Sequence, residues 1–287
     1  MSSIGKAEKF RQNENFKCLL QPPMEEVFRR DYKFRGRWNS DVFKNDNPIT
    51  LELGCGKGEY TIALAEKYPQ RNFIGIDIKG ARLWKGAKYV EDNMLHNVVF
   101  IRANIDFIEW IFAKDEISEI WITFADPQLQ SPRKRLTGVL FLERYQKFLV
   151  PGGVIHLKTD SCFLHEYTRA LAEQNNCKIL SCSNDIYGTN KNELPSGNQN
   201  PENAQNSLSI YPPELLTVQT FYEKFFLSQG LKITYLAFCL PFENKDIKET
   251  EYVRLKEQKY ERFKEPEWDK DYWRTEEEKG RTKKNIR

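Results

Sequence analysis

Leu51-Glu52-Leu53-Gly54-Cys55-Gly56-Lys57-Gly58 is the stretch on which the fold turns. A short apolar run, Ile49 to Leu53, stops at glycines spaced by two, and the helix-periodic segment Thr61 to Tyr68 follows at once. Strand, tight turn and helix is the reading. Glycine lets the backbone turn sharply and come close to a ligand, so Gly54, Gly56 and Gly58 are candidate cofactor contacts. A dinucleotide fingerprint would be GxGxxG, with helix-start amides on a pyrophosphate. Here the spacing is GxGxG, and the acid Glu52 precedes it. That combination suits a cationic ligand without phosphates. S-adenosyl-L-methionine fits, because a carboxylate can meet its ammonium or sulfonium charge while the glycine turn admits its amino-acid end.

Downstream, Asp77 closes a second strand, Phe73-Ile74-Gly75-Ile76-Asp77, where an acid can accept both ribose hydroxyls. Asn104 ends a third strand and can hydrogen-bond an adenine edge, with Asp106 a competing candidate. Helix-periodic stretches alternate with these strands and with later ones over 116–127, 154–160, 178–183 and 231–240. Helices are expected over 81–95, 138–150, 163–175 and 213–229. Such alternation predicts an α/β fold with a doubly wound, mostly parallel sheet and helices on both faces.

The fourth strand runs into Phe124-Ala125-Asp126-Pro127-Gln128-Leu129-Gln130, followed by Arg133-Lys134-Arg135. In open α/β sheets ligands bind beyond the carboxyl ends of the strands, so Asp126 is expected where donor meets acceptor. The three basic residues could hold phosphates.

Taken in order, LELGCGKG, FIGID, FADP with KRL, LVPGG, HLKTD and TFYEKFFLSQGLKI closely resemble the tRNA (guanine-N7-)-methyltransferase family over roughly residues 35 to 240. The resemblance implies a Rossmann-like class I methyltransferase, a seven-stranded sheet with an antiparallel last strand, and tRNA as the substrate. It assigns Glu52, Asp77, Asn104 and Asp126 to the cofactor pocket, with Asp126 as the catalytic residue. It assigns Asp160, Thr220 and Glu223 to the guanine site, while Lys134 and Arg135 would face RNA. Thr220 and Glu223, three apart on a helix, would share one face. Three positions depart from it. The family usually has Pro-Asp-Pro-Trp followed by a lysine or another basic residue, where this chain has Ala125 before Asp126, Gln128 at the tryptophan place and Gln130 where the lysine is expected. Guanine N7 carries a lone pair and no proton, so transfer to it needs alignment and no general base. In the family the target guanine lies in the tRNA variable loop. Rival readings are a methyltransferase for another RNA or a small molecule, and a non-catalytic RNA-binding relative.

The chain as a whole has 287 residues, with 44 basic against 41 acidic side chains, a net +3 that carries no global polyanion signal. Any nucleic-acid surface must be local. Residues 1–47 read as a basic, aromatic arm, 48–243 as the methyltransferase domain, and 244–287 as a charged extension. In the arm, Tyr32, Phe34 and Trp38 interleave with arginines from Arg29 to Arg37, a pattern that favours a polyanion with stackable bases. The polar stretch 188–207 reads as a long loop. The 6 cysteines show no metal-ligand spacing and are expected to be reduced, and His96, His156 and His165 to be structural or surface residues. No signal peptide or membrane span is read. The expectation is a cytoplasmic protein, monomer or weak homodimer, with no metal.

Overall fold

The computed structural model describes residues 4–188, 212–241 and 246–249. One sheet organises them. In chain order its strands are β1 (Leu19–Leu20), β2 (Ile49–Leu53), β3 (Asn72–Asp77), β4 (Val98–Arg102), β5 (Ile117–Thr123), β6 (Leu149–Thr159), β7 (Lys178–Ser183) and β8 (Thr234–Cys239). Their order across the sheet is β1-β4-β3-β2-β5-β6-β8-β7. Among these strands, only β8 runs antiparallel to its neighbours, β6 and β7. The expected seven strands and reversed last strand are therefore present, and the arm adds an eighth. Leu19 and Leu20 pair in parallel with Phe100 and Ile101. A two-residue strand is too short to show alternation in a sequence.

The central strands are buried on both faces, which is why they read as nearly unbroken apolar runs. Alternate side chains serve two cores. Leu51, Ile74, Ile120 and Leu157 pack with Ile108, Phe141 and Phe163. Phe73, Phe100, Trp121 and Tyr235 pack with Tyr60, Leu64, Leu83 and Ala87. Helices α1 (Lys6–Asn13), α2 (Met24–Val27), α3 (Glu59–Lys67), α4 (Gly80–Asp92), α5 (Ile108–Ile111), α6 (Val139–Tyr145), α7 (Cys162–Gln174), α8 (Glu214–Thr217) and α9 (Phe221–Ser228) supply the outer layers. Gly86 lets α4 lie against the glycine turn, because a Cβ there would meet the Lys57 carbonyl at 2.6 Å.

Several expectations change. The helix expected over 213–229 is broken, with Val218 extended and Thr220 capping the start of α9. The helix after Gly138 stops at Tyr145, so Leu149 and Val150 belong to β6. Tyr32 and Trp38 of the arm are core, not a stacking surface, while Phe34 is half-buried. Trp38 is 0% and Tyr32 4% exposed, and the Trp38 indole donates to the Ile111 carbonyl at 3.1 Å. The Trp38 ring packs on Phe112 and the Tyr32 ring on Trp38, and burial of these amphipathic bodies is favourable. The loop over 188–207, beyond Gly188, and most of the charged extension lie outside the described residues. His156 and His165 are buried and His96 is exposed. All 6 cysteines are free. Among the described residues no helix is long and apolar enough to cross a membrane.

Candidate active site

The strand order reverses between β2 and β5, and the cleft beyond their carboxyl ends is where an open α/β sheet binds ligands. A cavity of about 910 Å³ occupies that position. Its floor begins at the glycine turn. Gly54, Gly56 and Gly58 have φ of 73°, 57° and 73°, a left-handed conformation that favours glycine at each position. The Gly54 and Cys55 amides donate to the Ile76 carbonyl at 2.8 and 3.1 Å, fixing the turn to β3.

Glu52, at the end of β2, lines the cavity yet is only 4% exposed. Its Oε2 accepts from the Thr61 amide at 2.9 Å and from the Thr61 hydroxyl, and its Oε1 accepts from the Thr123 hydroxyl at 2.7 Å. Burial pushes this carboxyl up to about 7; the hydrogen bonds from Thr61 and Thr123 oppose that shift, and the charge of Asp77 adds to it. Asp77 closes β3, its Oδ2 accepting from the Gly56 amide at 2.9 Å and its Oδ1 from the Lys79 amide at 2.7 Å. Each oxygen keeps a lone pair for a further donor. Asn104 and Asp106 both line the cavity. The Asn104 side chain accepts from the Asp106 amide at 3.1 Å, and Asp106 pairs with Arg144 at 3.1 Å.

The segment after β5 also lines the cavity. Phe124 and Gln128 have φ of 51° and 53°, so this loop holds two non-glycine residues in a sparsely populated conformation. Asp126 is exposed, and its Oδ1 accepts from the Gln128 amide at 2.9 Å. Asp160, directly after β6, also lines the cavity, as do Thr220 and the exposed Lys134.

Two assigned residues sit elsewhere. Arg135, expected to face RNA, is 0% exposed. Its guanidinium donates to the Pro127 carbonyl at 3.0 Å and the Gln128 carbonyl at 3.4 Å, and lies 4.1 Å from the centre of the Tyr167 ring. It ties the Asp126 loop to α7, a tether that operates even though Ala125 replaces the stiffer proline. Glu223, expected at the guanine, is not among the residues lining the cavity. Its carboxylate is 0% exposed and pairs with Lys158 at 2.7 Å, with the Tyr187 hydroxyl donating at 2.8 Å. Thr220 and Glu223 do act together, but as a helix cap, in which the Thr220 hydroxyl accepts from the Glu223 amide at 3.2 Å.

Thr123, Tyr222 and Phe226 line the cavity without having been assigned a site role from the sequence. Tyr222 and Phe226 are four apart on α9, a spacing that marks one helix face. Nothing in the sequence distinguishes Thr123 from any other strand residue.

A doubly wound sheet with carboxylates at the ends of two adjacent strands, around a left-handed glycine turn, is the framework of a Rossmann-like class I methyltransferase. The sequence model of a family described as "Putative methyltransferase" matches residues 46–207. The chain belongs to the tRNA (guanine-N(7)-)-methyltransferase family. It is 47% identical over 240 residues to the tRNA (guanine-N(7)-)-methyltransferase of Christiangramia forsetii, covering 83% of this chain and 99% of that protein. The protein of the same name from Porphyromonas gingivalis is 42% identical, over 83% of this chain and 91% of that one. Among solved structures, the 16S rRNA methyltransferase KamB superposes with a TM-score of 0.46 at 16% identity, over 75% of this chain and 98% of that one.

Proposed function

We propose that this protein transfers the methyl group of S-adenosylmethionine to N7 of a guanine in tRNA, in the variable loop as the family resemblance implies. The observation that carries the reading is one cavity shared by two sets of carboxylates, Glu52 and Asp77 from β2 and β3 and Asp126 and Asp160 from the segments after β5 and β6. Its volume of about 910 Å³ is in the upper range for ligand sites and accommodates a cofactor beside a base.

The residues present fit the cofactor. Glu52 is a desolvated carboxylate already supplied with hydrogen bonds, and a cation is the partner that compensates its burial. Asp77 offers two oxygens to vicinal hydroxyls, Asn104 lies where it can meet a base edge, and the glycine turn admits a close-lying ligand. S-adenosylmethionine, when bound, supplies an electrophilic methyl group.

The chain's own part is to bind and orient. Among the described residues no histidine lines the cavity, which accords with an acceptor nitrogen that has no proton to remove. Asp126 and Asp160 act as acceptors toward the N1 and N2 hydrogens of guanine, a donor edge that adenine lacks. Positive charge that builds on the base during alkylation is stabilised by the same carboxylates. Thr220, Tyr222 and Phe226 close the cavity from α9, and Lys134 holds a phosphate at its edge. The test is transfer of labelled methyl to unmodified tRNA, followed by nucleoside analysis. Label in 7-methylguanosine is the expected result; label in another nucleoside, or none, overturns the assignment.

A pH dependence follows from Glu52. A carboxyl held at about 7 is largely protonated below that value, and a cationic ligand favours its ionised form. Affinity for the cofactor is expected to rise about tenfold per pH unit up to about 7 and then level off. Because this group binds its proton more tightly folded than unfolded, it also makes the empty protein less stable as pH rises from its ordinary carboxylate value to about 7. Calorimetric titration at several pH values checks the first effect. In Glu52→Gln the slope should vanish, and an unchanged slope would assign it to another group.

A further inference from the structure

Cations gather on the side of the cavity mouth built from α1, the glycine turn and α4. Lys57, Lys79 and Arg82 line the cavity itself. The Lys57 ammonium lies 4.4 Å from the centre of the Phe221 ring, and the Arg82 guanidinium 5.9 Å from that of Tyr222, so the turn, α4 and α9 meet at this rim. Lys85 stands exposed on the turn of α4 after Arg82. Lys9 reaches over from α1, its ammonium 5.1 Å from the Trp84 ring of α4.

Among the described residues none of Lys9, Lys57, Lys79, Arg82 and Lys85 takes part in an ion pair, and the first turn of α4 contains no acid. One turn further along the same helix the pattern changes, because Lys88 pairs with Asp92 at 2.8 Å. Glu59, the acid closest in sequence to Lys57, has its Oε2 engaged by the Phe221 amide at 3.0 Å. Burial first, and then the neighbouring charges of Lys85, Arg82 and Lys9, draw the Lys57 pKa below the ordinary lysine value against the opposing pull of Glu59. Like charges crowded at a cleft raise the local potential and call for an anion from outside.

We propose that Lys9, Lys57, Lys79, Arg82 and Lys85 form a docking track for the phosphate backbone of the RNA substrate. It lies on the cofactor side of the cavity, so that the nucleic acid is held from both sides of the strand-order reversal, by this track after β2 and β3 and by Lys134 after β5. The proposal rests on the tRNA reading given above. A chain of only +3 overall can bind a polyanion in this way because the charge is local and, among the described residues, not taken up in ion pairs.

The experiment measures binding of unmodified tRNA to the full-length protein by fluorescence anisotropy over a series of salt concentrations. The double variant Lys9→Gln/Lys85→Gln lies outside the cavity lining. It is expected to bind tRNA on the order of tenfold more weakly at low salt, and the slope of log K against log salt should fall by about two, one for each lysine that no longer neutralises a phosphate. Its melting temperature and cofactor affinity should match the parent protein, which separates a missing charge from a damaged fold. Lys88→Gln, on the same helix, should leave tRNA binding and its salt slope unchanged. A parent protein that methylates tRNA while the double variant keeps the same affinity and slope overturns the docking track alone. A parent protein that leaves tRNA unlabelled overturns the tRNA reading and the track with it.

Discussion

Replacing Asp126 with alanine is expected to lower kcat/KM for methyl transfer to tRNA by about two orders of magnitude, the usual loss when a group that meets developing charge is removed. The fold gives no reason for a stability loss of similar size. Asp126 is exposed, and its one described hydrogen bond is local, from the Gln128 amide at 2.9 Å. The loop keeps its other ties, from Arg135 to the carbonyls of Pro127 and Gln128, so the change in unfolding free energy should stay within about 1 kcal/mol. Asp126→Asn separates the two jobs of the side chain. Asparagine can still accept from the Gln128 amide and keep the turn, but it carries no charge. If charge is what matters, Asn should lose nearly as much rate as Ala; if the turn alone matters, Asn should recover most of it. Initial rates at varied tRNA and cofactor, with melting curves for each variant, make the comparison. A rate loss below about threefold in Asp126→Ala would remove the residue from the site.

The second large effect concerns stability. Lys158 and Glu223 form an ion pair at 2.7 Å with both side chains 0% exposed. Burial lowers the lysine pKa and the Glu223 charge raises it again, so each charge is tolerated through the other. Lys158→Met or Glu223→Leu alone should each destabilise the protein by about 3–5 kcal/mol, because the remaining partner is left charged in a dry interior. The double variant should recover much of that loss. Full recovery is not expected, since the Lys158 ammonium also donates to the Leu215 carbonyl at 2.6 Å and the Val218 carbonyl at 3.1 Å, and an acceptor left without its donor costs about 1–3 kcal/mol. Chemical denaturation of the four proteins decides it, and additive losses in the double variant would show that the pair is not coupled.

The same pair explains how α9 is placed. Lys158 comes from β6, Glu223 from the first turn of α9, and the Leu215 and Val218 carbonyls from the segment just before it. Tied at that point, α9 presents Thr220, Tyr222 and Phe226 to the cavity. Glu223 of the TFYE stretch thus anchors the helix that carries these three residues.

The departures from the family's usual loop find a partial account. Ala125 packs against the main core, and Gln128 lines the cavity with its backbone in the left-handed region. The loop is still held by Arg135 and by the Asp126 turn. Gln130, in place of the family's lysine, is exposed and its substitution has no explanation in the fold.

Local chemistry was enough to read much of this protein from its sequence. The turn after β2 shows because left-handed backbone at Gly54, Gly56 and Gly58 favours glycine, and the central strands show because burial on both faces demands apolar residues. Glu52, Asp77, Asn104, Asp126 and Asp160 follow as residues at or just beyond strand ends, all of which line one cavity. Tertiary structure decided the rest. Arg135 looks like a surface cation until Phe163 and Tyr167, distant in sequence, form the aromatic slot around its guanidinium. Trp38 and Tyr32 look like a stacking surface until Ile111 and Phe112 cover Trp38 and Trp38 in turn packs on Tyr32, and Glu223 looks like a ligand contact until β6 brings Lys158 beneath it. Periodicity and turn chemistry report the conformation of a few neighbouring residues. Whether a charged or aromatic side chain faces solvent, substrate or core depends on partners that only the closed sheet brings within reach.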